Sequence, residues 1–493
     1  MTSGLLPRGV HVERLPALGD LAPAEVANQL RDLPGLVLFE SARAGRNARW
    51  SYLTADPVEV LDAPSDGADP LAGARRLLAR LASEPVGSIP FAGGLAGYLG
   101  YDLGRRLERL PVMAAADQDL PELHLALHDW VVAWDHRAGA AFLAGRALDG
   151  DETRLSVRLA GIRERLAGLS GGGAGAARVA AASRPDSGLL ASVSRHETAF
   201  GSGGGGLPLR FVSGLSRAAF ETGVESLRTA IAEGQLYQAN LSRRLAAAFD
   251  GDPWPLYRRL RSGDPARFAA YLALGRGPGG GGMRALISAS PEPFLAVTRG
   301  GFVTTDPIKG TRSRGLDADE ERELASELLT SGKDRAENVM IVDVLRNDLG
   351  RVCRPGTVRV PRLCRLEHAG AVQHLVSTVT GRLLPARGPF DLLAAAFPGG
   401  SVTGAPKIRA MQLIEGLEPV RRGPYTGALG WIGPDGAMQT SIVIRTFVAD
   451  GRRLTLHVGG GITWRSDPTG EWEETRAKAR GPLQAIGAFE VAS

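Results

Sequence analysis

The segment "DPIKGTRSRG", Asp306–Gly315, sets one lysine, Lys309, between an isoleucine and a glycine. A lysine amine attacks carbon only when neutral, which takes burial or a neighbouring cation. Left in water it is a surface cation, and the residues around Lys309 leave both readings open. Acids cluster in two other places. Asp334 and Glu337 stand three apart, as do Glu471 and Glu474, with Lys478 four residues beyond Glu474. On a helix each set shares a face. Two such faces that converge suit magnesium, which takes one or two protein carboxylates and leaves positions for water and substrate oxygens. Turned to solvent, the same residues are ordinary charged helix faces with an ion pair such as Glu474–Lys478.

Groups that could hold an anion recur. "HVGGGIT" contains Gly459, Gly460 and Gly461, whose bare amides can cradle a carboxylate or simply form a tight turn. "PGGSVTGAPK" brings the hydroxyls of Ser401 and Thr403 to a helix expected to begin at Pro406. That setting suits an anion, N-capping by Thr403, or both. Arg445, inside the apolar run "SIVIRTF", is costly to bury without an anion, and its fork matches a carboxylate. His374, in "VQHLVSTVTG", is either a core histidine or an acid–base group. No GxxxxGK[ST] occurs, and no GxGxxG opens a helix after a strand, so nucleotide binding lacks support.

These residues need elements to position them. "DADEERELASELLTSGKDRAENVMIVDVLRNDLG" reads as two helices broken at Ser331–Gly332, and "RAAFETGVESLRTAIAEGQLYQ" as an amphipathic helix. The closing helix starts with Asp467 as N-cap and Pro468 in the first position. "DPLAGARRLLARLAS" reads as a helix opened by Asp69–Pro70. "GLVLFES", "FLAGRAL" and "RALISASPEPFLAVTRGGFVTTDPIKG" read as strands, and Gly277–Gly282 as a hairpin loop. "LTLHVGGGITW" is expected to run strand, glycine turn, strand. Without regular βαβ alternation the fold class is α+β. Residues 168–207 are rich in Gly, Ala and Ser and read as a linker between an N-terminal domain, 1–167, and a C-terminal domain, 208–493.

Of the 493 residues 44% are hydrophobic and 23% charged, enough for a large core. The net charge of +5 is spread thinly, without a basic arm, which fits anionic small molecules at least as well as nucleic acid and by itself decides nothing. The two cysteines, Cys353 and Cys364, form no CxxC, so neither disulfides nor zinc are expected and a reducing cytoplasm is the natural compartment. Neither a signal peptide nor an apolar run of the roughly 18 residues a membrane span needs is expected.

Taken in order, "GQLYQANLSRR", "ISASPEPFL", "DPIKGTRSRG", "DRAENVMIVDVLRNDLGRV", "HLVSTVTG", "FPGGSVTGAPKIRAMQLI" and "GGGITWRSDPTGEWEETRAKA" resemble the chorismate-utilising enzymes from about Ser216 to Gln484. "VLFESA", "RWSYL" and "GLAGYLGYDLGRRLERLP" extend the likeness into the N-terminal part. The resemblance implies a large mixed fold of antiparallel sheets packed as a sandwich with helices outside.

Gln238 stands where isochorismate and salicylate synthases carry a lysine base, and Lys309 where anthranilate synthases carry alanine. The nearest likeness is therefore to the branch that aminates chorismate to 4-amino-4-deoxychorismate, on a route to 4-aminobenzoate and folate. The anthranilate-forming branch and an inactive chorismate-binding regulatory subunit are the alternatives. The resemblance implies that Lys309 attacks the ring while Glu292 protonates the departing hydroxyl, with His374 assisting. It implies Mg2+ held by Glu337 and Glu474, backed by Asp334 and Glu471. Gln238, Gly310, Thr311, Ser401, Thr403, Tyr425, Arg445, Gly459, Gly460, Gly461 and Lys478 match groups that hold the substrate. Neither cysteine sits in a G-x-C-x-G elbow, so ammonia is expected from a separate glutamine amidotransferase subunit. "VLFESA" also resembles a tryptophan-binding segment, with Ser41, Arg49, Trp50, Ser51 and Tyr52 as candidates.

Overall fold

The computed structural model describes residues 8–43, 48–169, 208–313, 315, 317–369 and 372–491. The expected linker, apart from its first two residues, lies outside them. The described strands form a 13-stranded and a 10-stranded sheet, antiparallel throughout except where Phe489–Glu490 runs parallel to Arg210–Ser213. Among the described residues no helix is long and apolar enough to cross a membrane.

Alternation along single strands sets the layers, because successive side chains leave a strand on opposite faces. In Trp130–Asp135, Trp130, Val132 and Trp134 enter one core while Val131 and Ala133 enter another. In Ala428–Ile432, Leu429 and Trp431 join that second core, and Ala428 and Ile432 a third. The second core thus lies between the sheets. The outer faces are covered by helices: Glu152–Ala167, Trp254–Gly263 and Pro468–Ile486 on the larger sheet, Gly332–Gly350 and Pro389–Ala396 on the smaller. This is the α+β sandwich with helices outside that the sequence predicts.

The two parts on either side of residues 168–207 share both sheets. Val37–Glu40 pairs with Phe268–Arg276, and Gly94–Leu99 with Ala428–Ile432. Two neighbouring segments also pass from one sheet to the other side by side. Met283–Ser290 and Thr446–Asp450 pair in the larger sheet; their continuations Pro293–Val297 and Met438–Ile442 pair in the smaller. Glu292 and Arg445 sit at this strand-switching corner.

The helix boundaries follow local chemistry. Asp467 Oδ2 accepts from Gly470 N, and Ser331 Oγ accepts from Asp334 N at the break between Ala318–Thr330 and Gly332–Gly350. The expected glycine turn at 459–461 is corrected: Arg453–Ile462 is one continuous strand, with Gly459, Gly460 and Gly461 opposite Ser242, Leu241 and Asn240. The glycines serve closeness of approach. A Cβ at Gly459 would fall 2.5 Å from Leu241 O, and one at Gly461 2.1 Å from Gln238 Nε2.

Candidate active site

Lys309 belongs to Ile308–Ser313, a strand at the end of the smaller sheet. Opposite it, Ile308 meets Val376, Lys309 meets Leu375, and Thr311 meets His374, so Gly310 is an extra residue in the ladder. A left-handed glycine (φ 74°) at this bulge resets the alternation and re-aims the side chain before it. It also lets the strand press against Gly332–Gly350: a Cβ at Gly310 would meet Leu328 Cδ1 at 2.8 Å and Asp334 Cβ at 3.0 Å. Half-buried Lys309 donates to Ser401 O at 3.1 Å, and its Nζ lies 3.5 Å from the Cβ that Gly461 lacks.

Ser401 links this amine to Glu292. The Ser401 hydroxyl donates to Glu292 Oε1 at 2.8 Å. Glu292 is 7% exposed, and burial raises its pKa against the opposing pull of Ser401, Lys309 and Lys478. The group therefore keeps its proton to higher pH than a free carboxylate, as an acid must. Thr403 has another task than the expected N-cap. Gly404–Ala405 pairs with Gln238–Ala239 and holds Thr403 away from the helix Lys407–Leu417, so its hydroxyl donates to Gly399 O at 2.9 Å.

Two carboxylate-bearing helices converge on the same place. The Cβ position of Gly460 lies 3.0 Å from Glu471 Oε2 and 3.4 Å from Glu474 Oε1, on Pro468–Ile486. Glu337, on Gly332–Gly350, feels Asp334 and Glu474; burial above all raises its pKa, against Lys309 and Lys333. Its Oε1 is buried without a hydrogen-bond partner. Glu474 pairs with Lys478 at 2.7 Å; burial works to raise its pKa, but Lys478 together with Lys333 and Lys309 lowers it. Glu471 accepts from Ser466 Oγ at 2.6 Å, and Lys478 donates to Gly459 O at 2.9 Å. No group of three or more His, Cys, Asp or Glu fit to hold a metal occurs among the described residues. The donor set is a carboxylate pair with an orphaned oxygen. That fits an ion content with two protein ligands, as magnesium is, and not a closed zinc site.

Gln238 is 1% exposed, its Nε2 against Gly461 and its Oε1 without a partner. Tyr425 is enclosed, stacked on His457 at 4.9 Å and bonded to Asn240. His374 points away from the amine: opposed residues share a face, and its ladder partner is Thr311 rather than Lys309. It lines a cavity of about 440 Å³ with Arg445, Arg43 and Arg267. Burial, then these three arginines, push its pKa down to about 4, so its ring is neutral. Arg445 holds a left-handed backbone, φ 48°, uncommon for a side chain of its size and typical of a constrained functional position. Sequence reasoning missed Arg43 and Arg267; each sits in a loop where an arginine carries no signal of its own.

The N-terminal candidates separate. Ser41, Trp50 and Tyr52 line a cavity of about 140 Å³. Arg49 is turned to Asp135, at 2.7 Å, and Ser51 to His136, at 2.7 Å.

A family model for chorismate binding enzymes matches residues 37–484. The chain is similar to the anthranilate synthase component 1 of Streptomyces coelicolor, 39% identical over 471 residues, 94% of this chain and 85% of that protein. It is as similar to the aminodeoxychorismate synthase component 1 of Klebsiella aerogenes, 39% identical over 424 residues, 86% of this chain and 84% of that one. The crystal structure of anthranilate synthase component I from Streptococcus pneumoniae superposes with a TM-score of 0.72 at 30% identity, covering 90% of this chain and 93% of that one. Identity alone does not separate the two activities.

Proposed function

The chain belongs to the family of chorismate binding enzymes, and from that premise we propose that it aminates chorismate to 4-amino-4-deoxychorismate. One arrangement carries the reading. The Lys309 amine lies 3.1 Å from the carbonyl of Ser401, whose hydroxyl lies 2.8 Å from Glu292 Oε1, so one residue sets nucleophile and acid relative to each other.

Lys309 Nζ adds to ring carbon 2 and gives up a proton as the bond forms. The double bonds shift, and the 4-hydroxyl departs as water with a proton from Glu292, whose burial keeps that proton available. Ammonia then adds at carbon 4 and gives up a proton, and the bond from carbon 2 to Nζ breaks as Nζ takes up a proton, which returns the neutral amine. Glu337 and Glu474 would hold magnesium, which when bound supplies positive charge for a substrate carboxylate. His374, with a pKa of about 4, is neutral and hydrogen-bonds the backbone of Gly310, so its part is to support the Lys309 strand and not to act as an imidazolium. Ammonia comes from a separate glutamine amidotransferase, and the product feeds 4-aminobenzoate and folate synthesis.

The test is incubation with chorismate, magnesium and ammonium, with products separated before and after addition of an aminodeoxychorismate lyase. A product that the lyase converts to 4-aminobenzoate is expected. Anthranilate from this chain alone overturns the reading in favour of the tryptophan branch. Binding without turnover would favour a regulatory subunit, which the intact Lys309, Glu292, Glu337 and Glu474 argue against. Lys309→Ala should lose amination, or divert product to anthranilate, and should lack the chorismate adduct expected by intact-protein mass spectrometry on wild type.

A further inference from the structure

The cavity of about 440 Å³ beside the Lys309 strand falls in the size range that takes small organic ligands, about 300–1,000 Å³. Its charges are unevenly matched. On one wall Arg362 faces Glu367 at 3.5 Å, His368 faces Glu321 at 3.4 Å, and Asp306 accepts from Thr378 at 2.7 Å. Arg43, Arg267 and Arg445 gather near a single carboxylate, Asp264. Asp264 Oδ1 lies 3.8 Å from Arg445 Nη1, and Oδ2 is buried without a partner. Among the described residues neither Arg43 nor Arg267 has a hydrogen bond or an ion pair to a carboxylate. Arg267 only lies over the ring of Phe268, at 5.7 Å.

Guanidiniums repel one another at this range. Burial, and behind it Arg267 and Arg445, pull the Arg43 pKa down despite the opposing pull of Asp264. Three guanidinium forks against one carboxylate form a concave surface that favours an anion with planar oxygens. The cavity borders the strand that carries Lys309. Ile308 lines it, and the ring of His374 bonds the backbone of Gly310, next to Lys309.

We propose that Arg43 and Arg267 join Arg445 to hold a carboxylate of the substrate, so that this chain grips its dianion with three arginines. The proposal rests on chorismate as substrate. The contribution of the two new arginines is to binding.

The test is steady-state kinetics of Arg43→Ala, Arg267→Ala and the double variant with chorismate, magnesium and saturating ammonium. Each single change should raise KM about tenfold, with the loss falling mainly on KM, as for a charge-assisted hydrogen bond. Arg267→Lys, which keeps the charge without the fork, should fall between. Removing unpaired cations relieves repulsion, so the variants should fold; a urea midpoint checks this. Calorimetry with malonate is the second arm. Malonate binding that weakens in the double variant and competes with chorismate supports the proposal. Binding that does not compete marks a separate anion site and overturns it, as does an unchanged KM. Should wild type leave chorismate unreacted, the reaction assignment falls by itself. Malonate affinity then decides the arginine site alone: loss in the double variant upholds a carboxylate site, and equal affinity removes it.

Discussion

Gly310→Ala tests whether the bulge aims the nucleophile. Gly310 holds φ at 74°, where an L residue with a Cβ costs about 1–2 kcal/mol. The new Cβ would meet Leu328 Cδ1 at 2.8 Å and both Cβ and Cγ of Asp334 at 3.0 Å. Crowding of that kind in a packed site costs about 1–3 kcal/mol. The sum, about 2–5 kcal/mol, is below the roughly 5–15 kcal/mol that holds an ordinary fold, so the variant should remain folded but weaker. The strand can relieve the strain only by easing the bulge, which undoes the reset of its alternation and turns Lys309 from Ser401. Displacing a reacting atom by about 1 Å costs about 100-fold in rate. Urea unfolding and ammonium-dependent turnover, read on the same preparation, should therefore both fall. A variant with parental midpoint and parental turnover would falsify the claim that the bulge sets the lysine.

Two further variants address charge. Because burial raises the pKa of Glu292, activity should decline as pH rises through it; Glu292→Gln should remove that limb and cost about 10²–10⁴ in kcat. Ser401→Ala deletes a bond that lowers this pKa, so its limb should move to higher pH, and an unmoved limb counts against Glu292 as the acid. His374 is buried neutral, with a pKa of about 4 against an ordinary 6.5. The unfolded chain therefore takes up the proton first, and the stability His374 contributes is complete above pH 6.5 and lost as pH falls toward 4. That loss is about 3 kcal/mol in all. His374→Gln should show a smaller drop in urea midpoint between pH 7 and pH 5 than wild type; an equal drop refutes the assignment.

Much of the scaffold was legible because helix ends are local chemistry. Asp467 and Pro468 mark the last helix, Ser331 and Gly332 the break between the two acidic ones, and Gly277–Gly282 the hairpin loop. Sheet partners are not local. Nothing in "GLVLFES" announces that its partner lies beyond residue 260, and nothing in "HVGGGIT" tells a turn from a strand that needs bare backbone on both sides. The glycines were read as an amide cradle or a tight turn, whereas what they allow is close approach by Gln238 and Ser242. Thr403 looked like a helix cap because two strand residues between it and the helix pair with a segment more than 160 residues earlier. The arginine end of the cavity was invisible for the same reason. Arg43, Arg267 and Arg445 come from three distant loops and meet only when the sheets close.

The strand Val37–Glu40 has a consequence for how the chain is made. Its inward partner, Phe268–Arg276, leaves the ribosome about 230 residues later, roughly 12–46 s at ordinary elongation rates. For that time an apolar, flat strand presents unpaired amides and carbonyls, which is the template for wrong pairing with a neighbouring chain. The N-terminal third thus passes through synthesis as half of a sheet awaiting its other half. Slow translation, or a chain cut between residues 168 and 207, prolongs that interval. Yield in the cell is then governed by how long one edge stays open, whatever the stability of the finished protein.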